Sequence, residues 1–218
     1  SDDPSSSLSD GQLDSTRLGS VGLDIPSIEI DFKNGLQQAE IYSQYYGLDT
    51  TKSLKILDFG CSSGYFLFHA QQLGHFPMGI ELNQFKLDYI NTTLKLPCYA
   101  ALSDLPHGSQ FDLIFLFYSL EYVSNFKYLI QNLYSHLSNG GKIIIITPNL
   151  NDPLIKVWSS KAFEDFFFDI HSINYFSLLS LQNMMKSLDI KNFKIFTKQG
   201  YSIFNHINWL INSRPVKS

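Results

Sequence analysis

KILDFGCSSGYFLF, residues Lys55 to Phe68, decides how the rest of the chain is read. A short apolar run, Ile56-Leu57, ends at Asp58. Two glycines follow, Gly60 and Gly64, and an apolar-periodic segment then begins. That order is the pattern of a buried strand, a tight glycine turn and a helix N-terminus. In an α/β sheet such a turn lies at the carboxyl end of the strand, where ligands dock. Glycine admits positive φ and lets a ligand approach the backbone without meeting a Cβ. The helix beginning near Gly64 offers unpaired N–H groups and a partial positive charge.

The dinucleotide fingerprint wants glycine at the first, third and sixth positions of this turn. Those positions hold Gly60, Ser62 and Tyr65, so an NAD(P)-dependent oxidoreductase is disfavoured. The spacing that fits is Asp58-x-Gly60-Cys61-Ser62-Ser63-Gly64. It resembles the first motif of the class I S-adenosylmethionine-dependent methyltransferases, D-x-G-x-G-x-G, with Ser62 standing where the family usually has its middle glycine. The resemblance implies that Asp58, Gly60, Cys61, Ser62, Gly64 and Tyr65 contribute to a cofactor site.

With 218 residues the chain is long enough for one domain with a sizeable core. Hydrophobic residues make up 44% and aromatics 15%, as in a globular protein. The net charge of −4 and the presence of only two arginines, Arg17 and Arg214, argue against a nucleic-acid surface. Cys61 and Cys98 neither form a disulfide framework nor fall in a zinc-type spacing. Small buried apolar side chains are the plain reading of both. No metal site is expected. No apolar stretch reaches the roughly 18–20 residues of a membrane span, and no signal peptide is present, so a cytoplasmic location is expected. The chain starts at Ser1 rather than Met, which suggests processing, a tag remnant or a piece of a longer polypeptide or biosynthetic assembly.

Residues 1–24, rich in Ser, Asp and Gly, read as a flexible or linker segment, and 25–218 as the methyltransferase domain. Asn34 to Tyr46 has helix character. In similar methyltransferases a helix here leans over the cofactor cleft, where Gln37, Gln38 or Tyr42 would line it; solvent-facing or packing roles are the alternative. Tyr65 to Leu73 reads as a helix closed by Gly74, and His75 to Ile80 as a second strand ending in Glu81. An acid about 20 residues past the glycines is placed to accept hydrogen bonds from ribose hydroxyls. GIELN around Glu81 and Leu82 resembles the family's second motif; an ordinary surface carboxylate opening a helix is the alternative. Asn83 and Gln84 cap the next helix, to about Thr92.

Pro97 to Ala100 is a third strand. Relatives often follow it with an acid that takes the adenine amino group; here Ala101 or Leu102 matches, so the Leu102 amide or the Asp104 carboxylate is the candidate contact. Phe111 to Phe117 is a continuous apolar strand resembling the family's fourth. Tyr118, Ser119 and Glu121 follow at its carboxyl end, where the methionine part of the cofactor and the acceptor meet in relatives. Tyr122 replaces the histidine many of them carry. Asn125 to Leu137 is a helix, Asn139-Gly140-Gly141 a break, and Lys142 to Thr147 a fifth strand rich in isoleucine. Five alternating strand–helix units specify an α/β fold, a doubly wound (Rossmann-like), mostly parallel sheet with helices on both faces.

Phe166 to Leu188 and Gln199 to Leu210 resemble segments of a methyltransferase group frequent in polysaccharide and natural-product biosynthesis. The chain stops at Ser218, before the antiparallel last strand that many relatives carry. The resemblance implies S-adenosylmethionine as cofactor and a small-molecule acceptor, a sugar or secondary metabolite methylated at a hydroxyl, or else at an amine or carbon. A hydroxyl needs a base, and histidine is matched to neutral pH. His171 is the first candidate and His206 the second, with Tyr122 and Glu121 as orienters. Either histidine among aromatics is equally at home as a structural group. Trp158, Phe163, Phe166, Phe167, Phe168 and Tyr175 are candidate walls of an acceptor pocket, or plain core. A methyltransferase-like binding module without catalysis is the alternative function.

Overall fold

The computed structural model describes residues 25–168, 170–198 and 202–215. The expected linker (1–24), Asp169, Gln199-Gly200-Tyr201 of the late motif and residues 216–218 lie outside the described residues. Two compact units divide the chain, the first ending at Ile146 and the second beginning at Thr147.

The first unit opens with helix α1, Ile25–Tyr46. Strand β1 (Lys55–Phe59) leads to α2 (Tyr65–Gln72), β2 (Phe76–Ile80), α3 (Gln84–Tyr89) and β3 (Cys98–Tyr99), and then to β4 (Phe111–Phe117), α4 (Phe126–Ser135) and β5 (Leu137–Ile146). The five strands form one sheet in the order β3-β2-β1-β4-β5, and every pairing is parallel. Chain progress runs outward from β1 through β2 to β3, then returns to the other side of β1 for β4 and β5. Right-handed crossovers in opposite directions put their helices on opposite faces, which is the doubly wound arrangement expected. The same reversal opens a crevice at the carboxyl ends of β1 and β4.

Strand alternation sorts the core. Ile56 of β1 and Phe115 and Phe117 of β4 share a face with Phe66 and Ala70 of α2 and Ala39 of α1, all buried. Tyr42 of α1 stacks on Phe117 at 4.5 Å with an interplanar angle of 11°. At the other end of α1, Phe32 meets Phe68 and Tyr89 edge-on at 5.4 and 6.2 Å. Helix α1 therefore lies along α2 with aromatic contacts at both ends. Gly35 is what allows the approach, since a Cβ there would fall 2.2 Å from Cδ1 of Tyr65.

Three element boundaries differ from the sequence expectation. Helix α1 starts nine residues before Asn34, with Pro26 in its first turn, a position where a missing N–H costs nothing. Helix α3 stops at Tyr89 and widens into a π turn over Ile90–Leu94. Strand β5 begins at Leu137, because Asn139-Gly140-Gly141 bulges out of it rather than ending it. Phe111 pairs with Leu137 but Leu113 with Lys142, so three extra residues sit on β5.

The second unit carries α5 (Pro153–Lys156), α6 (Lys161–Phe167), α7 (Leu178–Ser187) and α8 (Ile203–Asn212). Leu154, Ile155, Phe163 and Trp209 form its buried cluster. No sixth strand is present among the described residues.

Gly35→Ala is expected to destabilise the protein in urea unfolding. Helix propensity gains about 1 kcal/mol, but overpacking against a ring held in the core costs about 1–3 kcal/mol. Adding Tyr65→Ala should make the second substitution nearly free of the first one's clash, so the pair would be strongly non-additive. Additive effects would refute the contact.

Candidate active site

The crevice is lined by the loops that follow β1, β2 and β4. Gly60, at φ 80°, brings the first of these against the third, since a Cβ on it would lie 2.4 Å from the Ser119 hydroxyl. The Gly60 and Cys61 amides both donate to the Ile80 carbonyl, at 2.8 and 3.1 Å, so the β1 loop folds over the end of β2. Gly64, at φ 79°, turns the chain into α2.

Glu81 follows β2 directly and is buried, with 7% of its surface exposed. Its Oε2 accepts from the Ser62 amide at 2.9 Å and its Oε1 from the Asn83 amide at 2.8 Å. A carboxylate offers about four lone-pair sites, so both oxygens keep capacity for ribose hydroxyls. Asn83 also caps α3, accepting from the Lys86 amide at 3.1 Å. Burial pushes the Glu81 carboxyl up, opposed by the Asn83 amide, the Lys86 ammonium and the Ser62 amide.

Asp58 ends β1 with 2% exposure. Burial, and then the charge on Glu81, push its carboxyl up to about 8. Its Oδ1 is buried without a hydrogen-bond partner. A buried acceptor left unpaired is costly, and an approaching cation would relieve both the burial and the repulsion. The residues present thus fit a ligand that carries ribose hydroxyls and positive charge together.

Ser62 sits at φ 51°, the left-handed region. That conformation costs a non-glycine residue about 1–2 kcal/mol, which is why glycine is the ordinary occupant. Here the hydroxyl finds partners: it donates to Asp31 Oδ2 at 3.0 Å and accepts from Lys86 Nζ at 2.7 Å. Tyr118, immediately after β4, is likewise left-handed at φ 49°. Near it, Tyr42 has its ionisation driven far upward by burial and then by Tyr118. Backbone strain of this kind persists where surrounding structure enforces it, often at functional sites.

Asp58, Gly60, Ser62, Glu81 and Ser119 are brought together as the sequence pattern implies, with Tyr118 at the crevice end of β4. Cys61 contributes only its backbone there. Its side chain is core, beside Leu67, Ile90 and Leu96, with its sulfur 3.7 Å from that of Cys98. Tyr65 packs its ring over Gly35. Leu82 is half-buried between Glu81 and the α3 cap. Leu102 opens a 3-10 turn at the end of β3, where first-turn amides lack intrahelical partners, while Asp104 Oδ2 is taken by the Ala101 amide at 3.1 Å. Gln37 and Gln38 are exposed. Tyr122 and the buried Glu121 lie in the 3-10 turn Leu120–Tyr122. His171 is exposed in a turn of the second unit. His206 is buried in α8, edge-on to Trp158 at 5.3 Å. Phe163 is core, whereas Phe166, Phe168 and Trp158 are exposed.

Asp31 and Lys86 were not singled out by sequence reasoning. Pro26 followed by Ile28, Phe32, Ala39 and Ser43 at helical spacing carried the signal for an earlier α1 start, and with it for Asp31.

A family model described as a methyltransferase domain matches residues 38–194. The chain belongs to this methyltransferase family. It is a class I, S-adenosylmethionine-dependent methyltransferase domain, and the crevice residues fit that cofactor. Among solved structures, the plantazolicin methyltransferase BpumL in complex with SAH is 21% identical with a TM-score of 0.62, over 92% of this chain and 86% of that one. The same enzyme with a triazolic desmethylPZN analog and SAH matches at 22% identity and TM-score 0.56, over 75% and 68%. The glycopeptide N-methyltransferase MtfA is 18% identical with a TM-score of 0.43, over 51% of this chain and 52% of that one, so the match spans about half of MtfA. These likenesses are of fold. No curated protein matches the sequence. Among the described residues no helix is long and apolar enough to cross a membrane.

A carboxyl whose folded-state pKa is raised stabilises the protein fully below its unfolded value of about 4, and that contribution is lost as pH rises through the folded value of about 8. Thermal unfolding of the ligand-free protein should therefore show the wild-type midpoint falling relative to Asp58→Asn between about pH 5 and pH 9. Parallel profiles would contradict a buried, unrelieved Asp58.

Proposed function

We propose that residues 25–218 act as one methyltransferase domain, after a linker at 1–24, and methylate a hydroxyl of a small natural product such as a sugar or secondary metabolite. The support is Glu81, buried beside the glycine turn and anchored by two backbone amides while keeping free lone pairs. The naming of BpumL as a plantazolicin methyltransferase, and its complex with SAH, support a natural-product acceptor of this general kind.

When bound, S-adenosylmethionine supplies a methyl group already activated by its sulfonium charge, so the protein's contribution is largely alignment. Glu81 would hold the ribose hydroxyls and the Leu102 amide the adenine edge. Asp58 would face the positive charge, and the Gly60–Gly64 turn would leave room for the ligand's backbone approach. Tyr118 and Ser119, at the end of β4, would shape the place where acceptor and cofactor meet. A hydroxyl acceptor must lose its proton, and an imidazole nitrogen of His171 is the proposed recipient, with His206 as second choice and Tyr122 and Glu121 as orienters. The aromatics Trp158, Phe163, Phe166, Phe167, Phe168 and Tyr175 are the proposed acceptor-side surface. A cytoplasmic setting, within a longer polypeptide or biosynthetic assembly, belongs to the same proposal.

Calorimetric titration with SAH should show saturable binding, and Glu81→Ala should weaken it by about 1–3 kcal/mol through lost charged hydrogen bonds. Unchanged affinity would remove Glu81 from the site. His171→Ala should depress turnover about 10²-fold or more with cofactor affinity kept, as expected for a general base. Full turnover would take His171 out of the mechanism.

A further inference from the structure

The middle residue of the glycine turn does more than occupy a glycine's place. Ser62 gives its amide to Glu81 and its hydroxyl to two side chains from different helices, Asp31 of α1 and Lys86 of α3. Lys86 Nζ also lies 3.6 Å from Asp31 Oδ2, so the three polar groups close a triangle. The side chains of Lys86 and Asp31 are 20% and 45% exposed, an ion pair at the edge of the molecule rather than in its core. Next to Asp31, Phe32 packs on Phe68 and Tyr89, so apolar contact and ion pair fasten the same turn of α1.

We propose that Ser62, Asp31 and Lys86 are positioning residues, a latch that fixes the N-terminal half of α1 across the glycine turn and sets how fast the cofactor leaves. The inference rests on the reading above that this turn holds S-adenosylmethionine. A glycine at position 62 would hold the turn with less backbone strain but would lose the hydroxyl's tie to α1. With serine the hydroxyl joins turn, α1 and α3, and the same residue's amide is presented to Glu81. Ordering of α1 and ordering of the ribose acceptor therefore go together. Because the Asp31–Lys86 pair is partly exposed, salt should loosen the latch.

The test compares wild type with Asp31→Ala, which removes no group placed in the cofactor site, and with Ser62→Gly, which takes away the hydroxyl but keeps the backbone amide that meets Glu81. In the ligand-free protein, amide hydrogen exchange over residues 25–35 should quicken about tenfold in both variants, with exchange in β1 and β4 unchanged. SAH release, followed by stopped-flow, should speed up several-fold. The KM for S-adenosylmethionine should rise in both variants, with kcat kept in Asp31→Ala. Raising salt from 0.05 to about 0.5 M should accelerate release in wild type and have little further effect in Asp31→Ala, which lacks the ion pair. Unchanged exchange over 25–35 in both variants overturns the latch, as does unchanged SAH release. Failure of wild type to bind SAH would instead overturn the cofactor reading, and with it the control of release, while the exchange measurement would still report whether α1 is tied down.

Discussion

The carboxylate of Glu81, gripped by the amides of Ser62 and Asn83, is the interaction on which the rest of the crevice depends. It joins the loop after β1 to the start of α3, and it does so from inside the protein. Hydrogen bonds to a charged group contribute about 1.5–3 kcal/mol each, enough to offset much of the cost of burying the charge. Without that grip, Ser62 would hold its left-handed conformation through its hydroxyl contacts with Asp31 and Lys86 alone, and the shape that brings Gly60 against Ser119 would be less firmly kept.

Electrostatics then say what the crevice is built to meet. Burial raises the proton affinity of both Asp58 and Glu81, the charge on Glu81 raises that of Asp58 further, and Asp58 keeps a buried oxygen unpaired. Lys86 counters Glu81. An arrangement that is unfavourable alone becomes favourable once a cation with hydroxyl groups is present. The strand order supplies the location, because the reversal between β1 and β4 is where an open parallel sheet leaves its crevice.

Much of this could be read from the chain. Asp58-x-Gly60 after an apolar run, and Glu81 at the tip of the next one, point to the two carboxylates, and the alternation of strands and helices to the doubly wound parallel sheet. Strand β4 was equally plain, since seven apolar or half-buried positions in succession suit a central parallel strand. Misreadings came where local chemistry is ambiguous. The helix reads as starting at Asn34, yet α1 begins nine residues earlier at Ile25, with Gly35 inside it where Tyr65 takes the space of a Cβ. Asn139-Gly140-Gly141 looks like a strand boundary, yet it is a bulge within β5. Contacts of Ser62 with Asp31 and Lys86 join residues 31 and 24 positions away from it. No local pattern encodes such a meeting, which exists only once α1 and α3 have packed against α2.

A crystal structure of the protein with S-adenosylhomocysteine is the most direct measurement. Both ribose hydroxyls should lie within hydrogen-bond distance of the Glu81 carboxylate, with the ligand's ammonium on the side of Asp58. A ligand bound away from the Gly60–Gly64 turn, or a Glu81 side chain swung out to solvent, would contradict the assignment of this crevice.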